Sequence, residues 1–510
     1  MKRRIQKECE SGCEYILPDY MGDIKKLLFY RAKAIPTGKF VGEGSVEVSG
    51  VVEYEVLYAD SDGRLTAVNA SSDFSESFSV DSERYVDSLE ESKATNLKIR
   101  VTGPRKITMK AGVENLLTIS EDGGFAVGGE AFSQNCDTLE KCVKEIRLAN
   151  SFFKKSGERE YAEVIERLDY ADKDDVEVIS VNAVTHVTEA VATDGEIRLT
   201  GENLVSAILQ IGEKPPFSVI KSIPFDEVIS AEEVKSEMSV LANGVVLSAT
   251  VSIGSENEEC VAVANIITEY GVEAVENTSV NVVLDAYLTD APTKNEYSDT
   301  EFSESVFNGI KDFYVEVAQD REGEKTSELC AILAASADFR AVETSLNKGG
   351  CEFCGELTVS GVGYEANVDG SITYVPVKIQ APFKEYVNLG CQNSEFSLLE
   401  YDLTVKDITP KIDADGLSVR CLASAKLSLL SEGKIKRLSS LERKESEGEN
   451  KDSSVVTVYY PKPNERLFDV AKRYRTTAKK IAEDNELSES VIFTPDAEDS
   501  LSGVKRLIIR

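Results

Sequence analysis

The sequence predicts a mainly β protein: three tandem antiparallel β modules, followed by a small α+β domain in the order β-α-α-β. Three observations point there. Val, Ile and Leu alternate with polar residues over long stretches, the period of a half-buried strand. One pattern of strand, Gly, strand, turn and Phe recurs three times, and internal repetition of that kind outweighs local propensity in deciding an architecture. Beyond a charged tract near residue 450, apolar residues switch to the three-and-four spacing of a helix.

The first copy reads SVEVSGVVEYEVLYADSDGRLTAVNASSDFSESFSV, with Gly50, an Asp62-Gly63 turn and Phe74. The second reads EIRLTGENLVSAILQIGEKPPFSVIKSIPFDEVIS, with Gly201 and Phe225. The third reads CEFCGELTVSGVGYEANVDGSITYVPVKIQAPFKEYVNL, with Gly355, an Asp369-Gly370 turn and Phe383. From Gly to Phe the separations are 24, 24 and 28 positions, so the third copy carries a short insertion. Asp-Gly supplies the positive φ of a tight hairpin. Gly inside a strand marks a bulge or a close backbone approach. The Phe reads as a core plug. Upstream of the second and third copies, VEVISVNAVTHVTEA and SELCAILAASADFRAV read as strands; LKIRVTGPRKITMKAGVE and GVVLSATVSIGS do so downstream of the first two. TLEKCVKEIRLANSFF and REYAEVIERL are the best helix candidates in this part of the chain.

The expected modules are residues 1–137, 138–297 and 298–441, with a flexible acidic linker over 442–454 and a last domain over 455–510. The linker, ERKESEGENKDSS, has too little apolar surface to offset its ordering entropy, so the tail is expected to fold by itself. In the tail a strand near Val455–Tyr460 leads to Leu467, Val470, Ala471 and Tyr474 at helical spacing. Thr476 and Thr477 can cap a second helix through Ile481 and Ala482 that ends near Asn485, and Val504–Ile509 closes with a strand.

RLFDVAKRYRTTAKKIAEDNEL resembles the LysM domain family, with Asn464-Glu465-Arg466 where that family has Gly-Asp-Thr and Phe468 in place of its Trp. The resemblance implies a shallow groove for N-acetylglucosamine chains near Asn464, Glu465, Leu467, Phe468, Asn485 and Leu487. EYILPDYMGDIKKLL, the three repeats and GPRKITMKAGVE together resemble the SPOCS-domain proteins of spore-forming Firmicutes; Leu17-Pro18-Asp19-Tyr20 is kept and Gly22 replaces a Pro. SPOCS-like modules with a C-terminal LysM-like domain are similar to the SipL-like spore coat morphogenetic proteins of clostridia. That likeness implies a non-catalytic scaffold in the mother-cell cytoplasm at the forespore surface, with the coat-morphogenetic ATPase and other coat proteins as partners. The alternative is a wall or cortex protein whose LysM-like domain binds peptidoglycan.

Charge narrows the partners. The formal net charge is −33, from 57 basic and 90 acidic residues, a field that repels nucleic acid and anionic membrane surfaces. The tail differs: residues 455–510 hold ten basic and nine acidic side chains, leaving −34 on the rest. Its stretch KRYRTTAKK (Lys472, Arg473, Arg475, Lys479, Lys480) reads as a docking face for an acidic partner or as a solvated helix face. MKRRIQKECESGCEY lacks the apolar stretch of a secretory leader, and no run reaches the roughly 18 apolar residues of a membrane span.

The chemistry-bearing residues predict no catalytic centre, metal site or cofactor. The one histidine, His186, sits in an alternating strand and excludes multi-His metal sites. Cys351-x-x-Cys354 lacks a second pair for zinc and lies in a predicted strand, where side chains three apart face opposite ways. Cys9 and Cys13 would meet if the N-terminus were helical. Ten scattered cysteines favour thiols over a disulfide framework, and GGFAVGG lacks the Lys-Ser/Thr of a phosphate loop.

Overall fold

The computed structural model describes residues 2–121, 138–168, 172–256, 259–318, 329–347, 349–367, 369–390, 398–413, 416–444, 456–463, 465–488 and 501–510. Strands dominate, and they repeat one plan. The first copy holds β1 (Lys2–Ile16), β2 (Ile24–Gly42), β3 (Ser45–Asp60), β4 (Leu65–Ser79), β5 (Tyr85–Gly103) and β6 (Lys106–Glu121), arranged as two antiparallel sheets, β2-β3-β4 and β1-β6-β5. The second has β7 (Leu139–Lys155), β8 (Arg159–Leu168), β9 (Val176–Thr193), β10 (Glu196–Ile211), β11 (Phe217–Ser230), β12 (Ser239–Glu256) and β13 (Glu259–Leu288), with sheets β11-β10-β9 and β12-β13-β7; β8 also pairs with β13. The third has β14 (Thr293–Ala318), β15 (Leu329–Asn347), β16 (Gly350–Ala366), β17 (Ile372–Asn388), β18 (Leu398–Asp413) and β19 (Gly416–Arg443), with sheets β15-β16-β17 and β14-β19-β18.

The Gly and the Phe of each repeat turn out to be one device. Gly50 lies directly opposite Phe74, Gly201 opposite Phe225 and Gly355 opposite Phe383. A Cβ on Gly201 would stand 2.1 Å from the His186 carbonyl oxygen and 2.6 Å from the Phe225 ring; on Gly50 it would stand 2.3 Å from the Ile35 oxygen and 2.5 Å from the Phe74 ring. The ring fills the space that the missing side chain leaves, while the neighbouring strand bulges towards it: the registers shift at Pro36/Gly38, Thr200/Gly201 and Arg340/Glu343. A second recurrence accompanies it. Gly44, Gly195 and Gly349, each with φ between 76 and 89°, stand six positions before these glycines. Their carbonyls accept from Val80, Ala231 and Leu389, each six positions after its Phe.

The Asp-Gly turns are longer than a two-residue hairpin. Asp60 N–H donates to the Arg64 carbonyl and Gly63 N–H to the Asp60 carbonyl, with φ 82° at Gly63. Asn367, Ser371 and Gly370 (φ 84°) repeat the arrangement. In the Asp60–Arg64 turn only the Gly is left-handed, which fits a type I turn closed by a left-handed Gly.

Both expected helices are strands. TLEKCVKEIRLANSFF falls in β7 and REYAEVIERL is β8. β8 is held in register against β13 from Cys260↔Leu168 to Thr268↔Arg159, and tertiary pairing overrides the helix propensity of its Glu, Ala and Arg. The N-terminus is a strand as well. Cys9 and Cys13 therefore share a face of β1 at roughly 13 Å spacing and do not meet.

Residues divide into two compact units. The larger comprises Met1–Asp122, Ala149–Asn277 and Ser305–Ser431, and in it the three copies form a circuit: β4 meets β9, β11 meets β15, and β17 meets β2. Leu57, Ile208 and Val362, each seven positions after the repeat Gly, bury in one cluster with Leu28, Phe29, Ile179, Leu333 and Tyr374. Equivalent residues from three copies around one centre give an approximate threefold relation inside a single chain. Polar contacts stitch the copies together: Arg31 pairs with Glu55 and donates to Ser180, and Lys155 bridges Glu90 and Glu269.

The smaller unit comprises Gly123–Leu148, Thr278–Glu304 and Glu432–Arg510. Its strand segments come from β7, β13, β14 and β19, the last three running 30, 26 and 28 residues where five or so is usual. Ile146, Val282, Ile435 and Phe302 pack between them, as do Ala286 and Leu438. Here too lie β20 (Thr457–Tyr459), α1 (Leu467–Tyr474), α2 (Ala478–Asp484) and β21 (Leu507–Ile509), with β20 and β21 antiparallel.

Candidate functional site

Each tail element has a local cause. The apolar side chains Leu467, Phe468, Val470 and Ala471 bury one face of α1, which ends at Arg475 in the left-handed region (φ 51°). Thr477 caps α2 by accepting from Lys480 N–H at 3.0 Å. Asn485 then ties α2 to β21: its Nδ2 donates to the carbonyls of Ile481 (2.8 Å) and Ile508 (2.7 Å), and its Oδ1 accepts from Ile508 N–H at 2.6 Å.

The residues expected around a glycan groove are largely used in this way. Asn464 lies outside the described residues. Leu467 and Phe468 are 0% and 2% exposed, so their side chains face the core. Leu487 packs against the same core, and Asn485 is the bridge just described. Glu465 holds β20 to α1, accepting from Tyr459 Oη at 2.8 Å, Lys462 N–H at 3.0 Å and Arg473 at 2.9 Å. Burial opposes its ionisation, yet these three donors keep its carboxyl below the usual range.

The expected basic docking residues divide. Lys472 pairs with Asp285 on β13. Arg473 lies over the Tyr459 ring at 5.3 Å besides holding Glu465. Arg475 forms the cap of α1. Lys479 reaches Glu483 at 3.8 Å on an exposed face, and Lys480 is exposed. This stretch does not form one free basic surface.

What the local sequence could not reveal is how the tail's core is completed. Cys142 of β7 and Leu284 and Tyr287 of β13 join Leu467, Phe468, Ile481, Leu507 and Ile509 in one cluster. Tyr287 meets Phe468 edge-on at 5.2 Å and donates to the Thr476 carbonyl at 2.7 Å; burial pushes its phenol well above the ordinary value. Arg466, paired with Asp469, reaches Cys142 Sγ at 3.9 Å. Tyr287→Phe keeps the ring and deletes the bond to Thr476, so it should loosen the tail by about 1 kcal/mol. Hydrogen exchange of α1 and α2 measures this, and unchanged protection contradicts it.

Elsewhere the chemistry-bearing residues are structural. His186 is buried, its Nε2 2.9 Å from the Lys406 carbonyl oxygen, and burial pulls its pKa down to about 4. Cys351 is fully buried and Cys354 half-buried on the opposite face of β16; burial pushes the Cys351 thiol up to about 11. Cys9, Cys13, Cys142, Cys260, Cys330, Cys351, Cys354 and Cys421 are thiols; Cys136, Cys391 and GGFAVGG lie outside the described residues. Among the described residues no group of three His, Cys, Asp or Glu side chains is placed to hold a metal ion, and no helix is long and apolar enough to cross a membrane.

The fold and site together define a β-repeat protein with a small β-α-α-β tail. No protein-family model, curated protein or solved structure matches the chain.

Proposed function

We propose that the chain is a non-catalytic scaffold of spore coat morphogenesis: three SPOCS-like β modules carrying a LysM-like tail, working in the mother-cell cytoplasm at the forespore surface. Its partners are the coat-morphogenetic ATPase and other coat proteins. The observation that carries this reading is the circuit of three copies around one apolar centre. Such a body presents many loops in fixed relation, which raises the effective concentration of everything docked on it. The second reading, a peptidoglycan binder, finds less support. Leu467 and Phe468 are buried, and Glu465 and Asn485 spend their polar atoms inside the tail.

The full chain, incubated with purified peptidoglycan and separately with the coat ATPase, should be retained by the ATPase and released by the glycan. A fluorescent fusion in a sporulating clostridial host should gather at the forespore. Firm glycan retention, or an even distribution through vegetative cells, would sink the proposal.

A further inference from the structure

The face of the β20–β21 ribbon turned away from α1 and α2 is apolar and basic. Val456, Val458 and Tyr460 alternate with inward residues and are 58%, 51% and 70% exposed. Val458 lies opposite Ile508; continuing that register sets Tyr460 beside Arg506 and Val456 beside Arg510. Among the described residues neither guanidinium has a carboxylate partner. Three exposed apolar side chains in a row with two free cations form a surface whose complement is apolar and acidic.

The same chain carries such a complement. On the outward face of β9-β10-β11, Val191, Arg198 and Val228 form one cross-strand row. Val191 and Val228 are each 45% exposed. The adjoining rows bring Glu189 with Asp226, and Glu196 at the hairpin end. Arg198 pairs with Asp226 and also feels the charge of Glu196, so this one cation serves two carboxylates; among the described residues neither Glu189 nor Glu196 has an ion pair of its own, and the face keeps a net negative charge. Two exposed valines flanked by two carboxylates match the composition and charge of the ribbon face.

We propose that the outward ribbon face, centred on Val458 and Tyr460 with Arg506 and Arg510, docks on the Val191/Val228 face of a second copy of this chain, with Arg506 and Arg510 set against Glu189 and Glu196. The two surfaces differ, so the contact is heterologous. Each contact leaves one face of each kind unused, so association runs head to tail into a ring or a filament rather than stopping at a twofold dimer. This inference concerns self-assembly and stands apart from the choice of coat partner.

Sedimentation of the full chain over a range of concentrations, at low and high salt, tests it. The wild type should grow beyond a monomer with concentration, and added salt should weaken that growth. Arg506→Glu with Arg510→Glu should weaken association about tenfold, as should Glu189→Lys with Glu196→Lys. Mixing the two double variants should restore it, because each then supplies a face complementary to the other. Lys479→Glu, on a different face of the tail, should leave association unchanged. A chain that stays monomeric throughout overturns the proposal. So does association indifferent to both reversals, or loss in both without recovery on mixing.

Discussion

Replacing Lys2 by Met should cost about 3–5 kcal/mol of stability, the penalty for leaving buried carboxylates without their cation. The Lys2 side chain is 4% exposed, and its ammonium reaches Glu273 of the second copy at 2.9 Å, Glu400 of the third at 3.2 Å and the Ser428 hydroxyl at 3.3 Å. One cation from β1 thus neutralises carboxylates on β13 and β18. Without it two negative charges face each other where little solvent reaches them, their side chains 6% and 10% exposed, and the circuit should open there first. Denaturant unfolding of the Lys2→Met chain should show the lowered midpoint. Adding Glu273→Gln and Glu400→Gln should recover much of it, since the loss comes from unpaired charge and not from the missing side chain. Equal stability of wild type and Lys2→Met would show that the cluster is solvated and does not hold the copies together.

The threefold recurrence was legible in the sequence because it is written in residues with few substitutes. A Gly that must accept an aromatic ring and a neighbouring carbonyl cannot be exchanged, and Gly50, Gly201 and Gly355 stand out for that reason. The companion set Gly44, Gly195 and Gly349 was equally visible at constant spacing, and the positive φ of their hairpins explains it. The circuit was not legible. Leu57, Ile208 and Val362 are ordinary strand residues, and nothing in a two-residue period distinguishes a side chain that fills its own module from one that reaches a neighbour. The β7 and β8 segments misled because their charged, Ala- and Leu-containing composition is helix-like, whereas their backbones are claimed by β13.

The candidate site divides in the same way. Helix positions and the Thr477 cap follow from local spacing, so the tail's elements could be read one after another. Tyr287, Asp285 and Cys142 lie more than 150 residues upstream of the helices they support, and no short-range signal links them. The outward ribbon face has a local signal in the sequence. VVTVYY is apolar at nearly every position, so a two-stranded ribbon covered by helices on one side must show Val456, Val458 and Tyr460 on the other.

Acid should act on the contact between the second and third copies. His186 is held neutral, its Nε2 donating to the Lys406 carbonyl, with Lys406, Glu202 and Asp312 as the charged groups around it. Its folded pKa of about 4 lies below the ordinary value of 6.5. Between these two values the unfolded chain binds a proton that the folded chain refuses, so stability falls as the pH drops through that window. The full loss, reached below the folded pKa, is about 3 kcal/mol. Glu91, which Lys426 keeps below the usual carboxylate range against the opposing effect of burial, works in the same direction but later. Its contribution is complete above the unfolded carboxylate value and is lost only as the pH falls below it. The His186→Gln chain can keep a donor near the Lys406 carbonyl and has nothing to protonate there. Its unfolding midpoint should therefore stay level from neutral pH to about pH 5, while the wild type declines. Parallel curves for the two proteins would mean that His186 takes up its proton without disturbing β9, and that the acid-sensitive contact lies among the carboxylates.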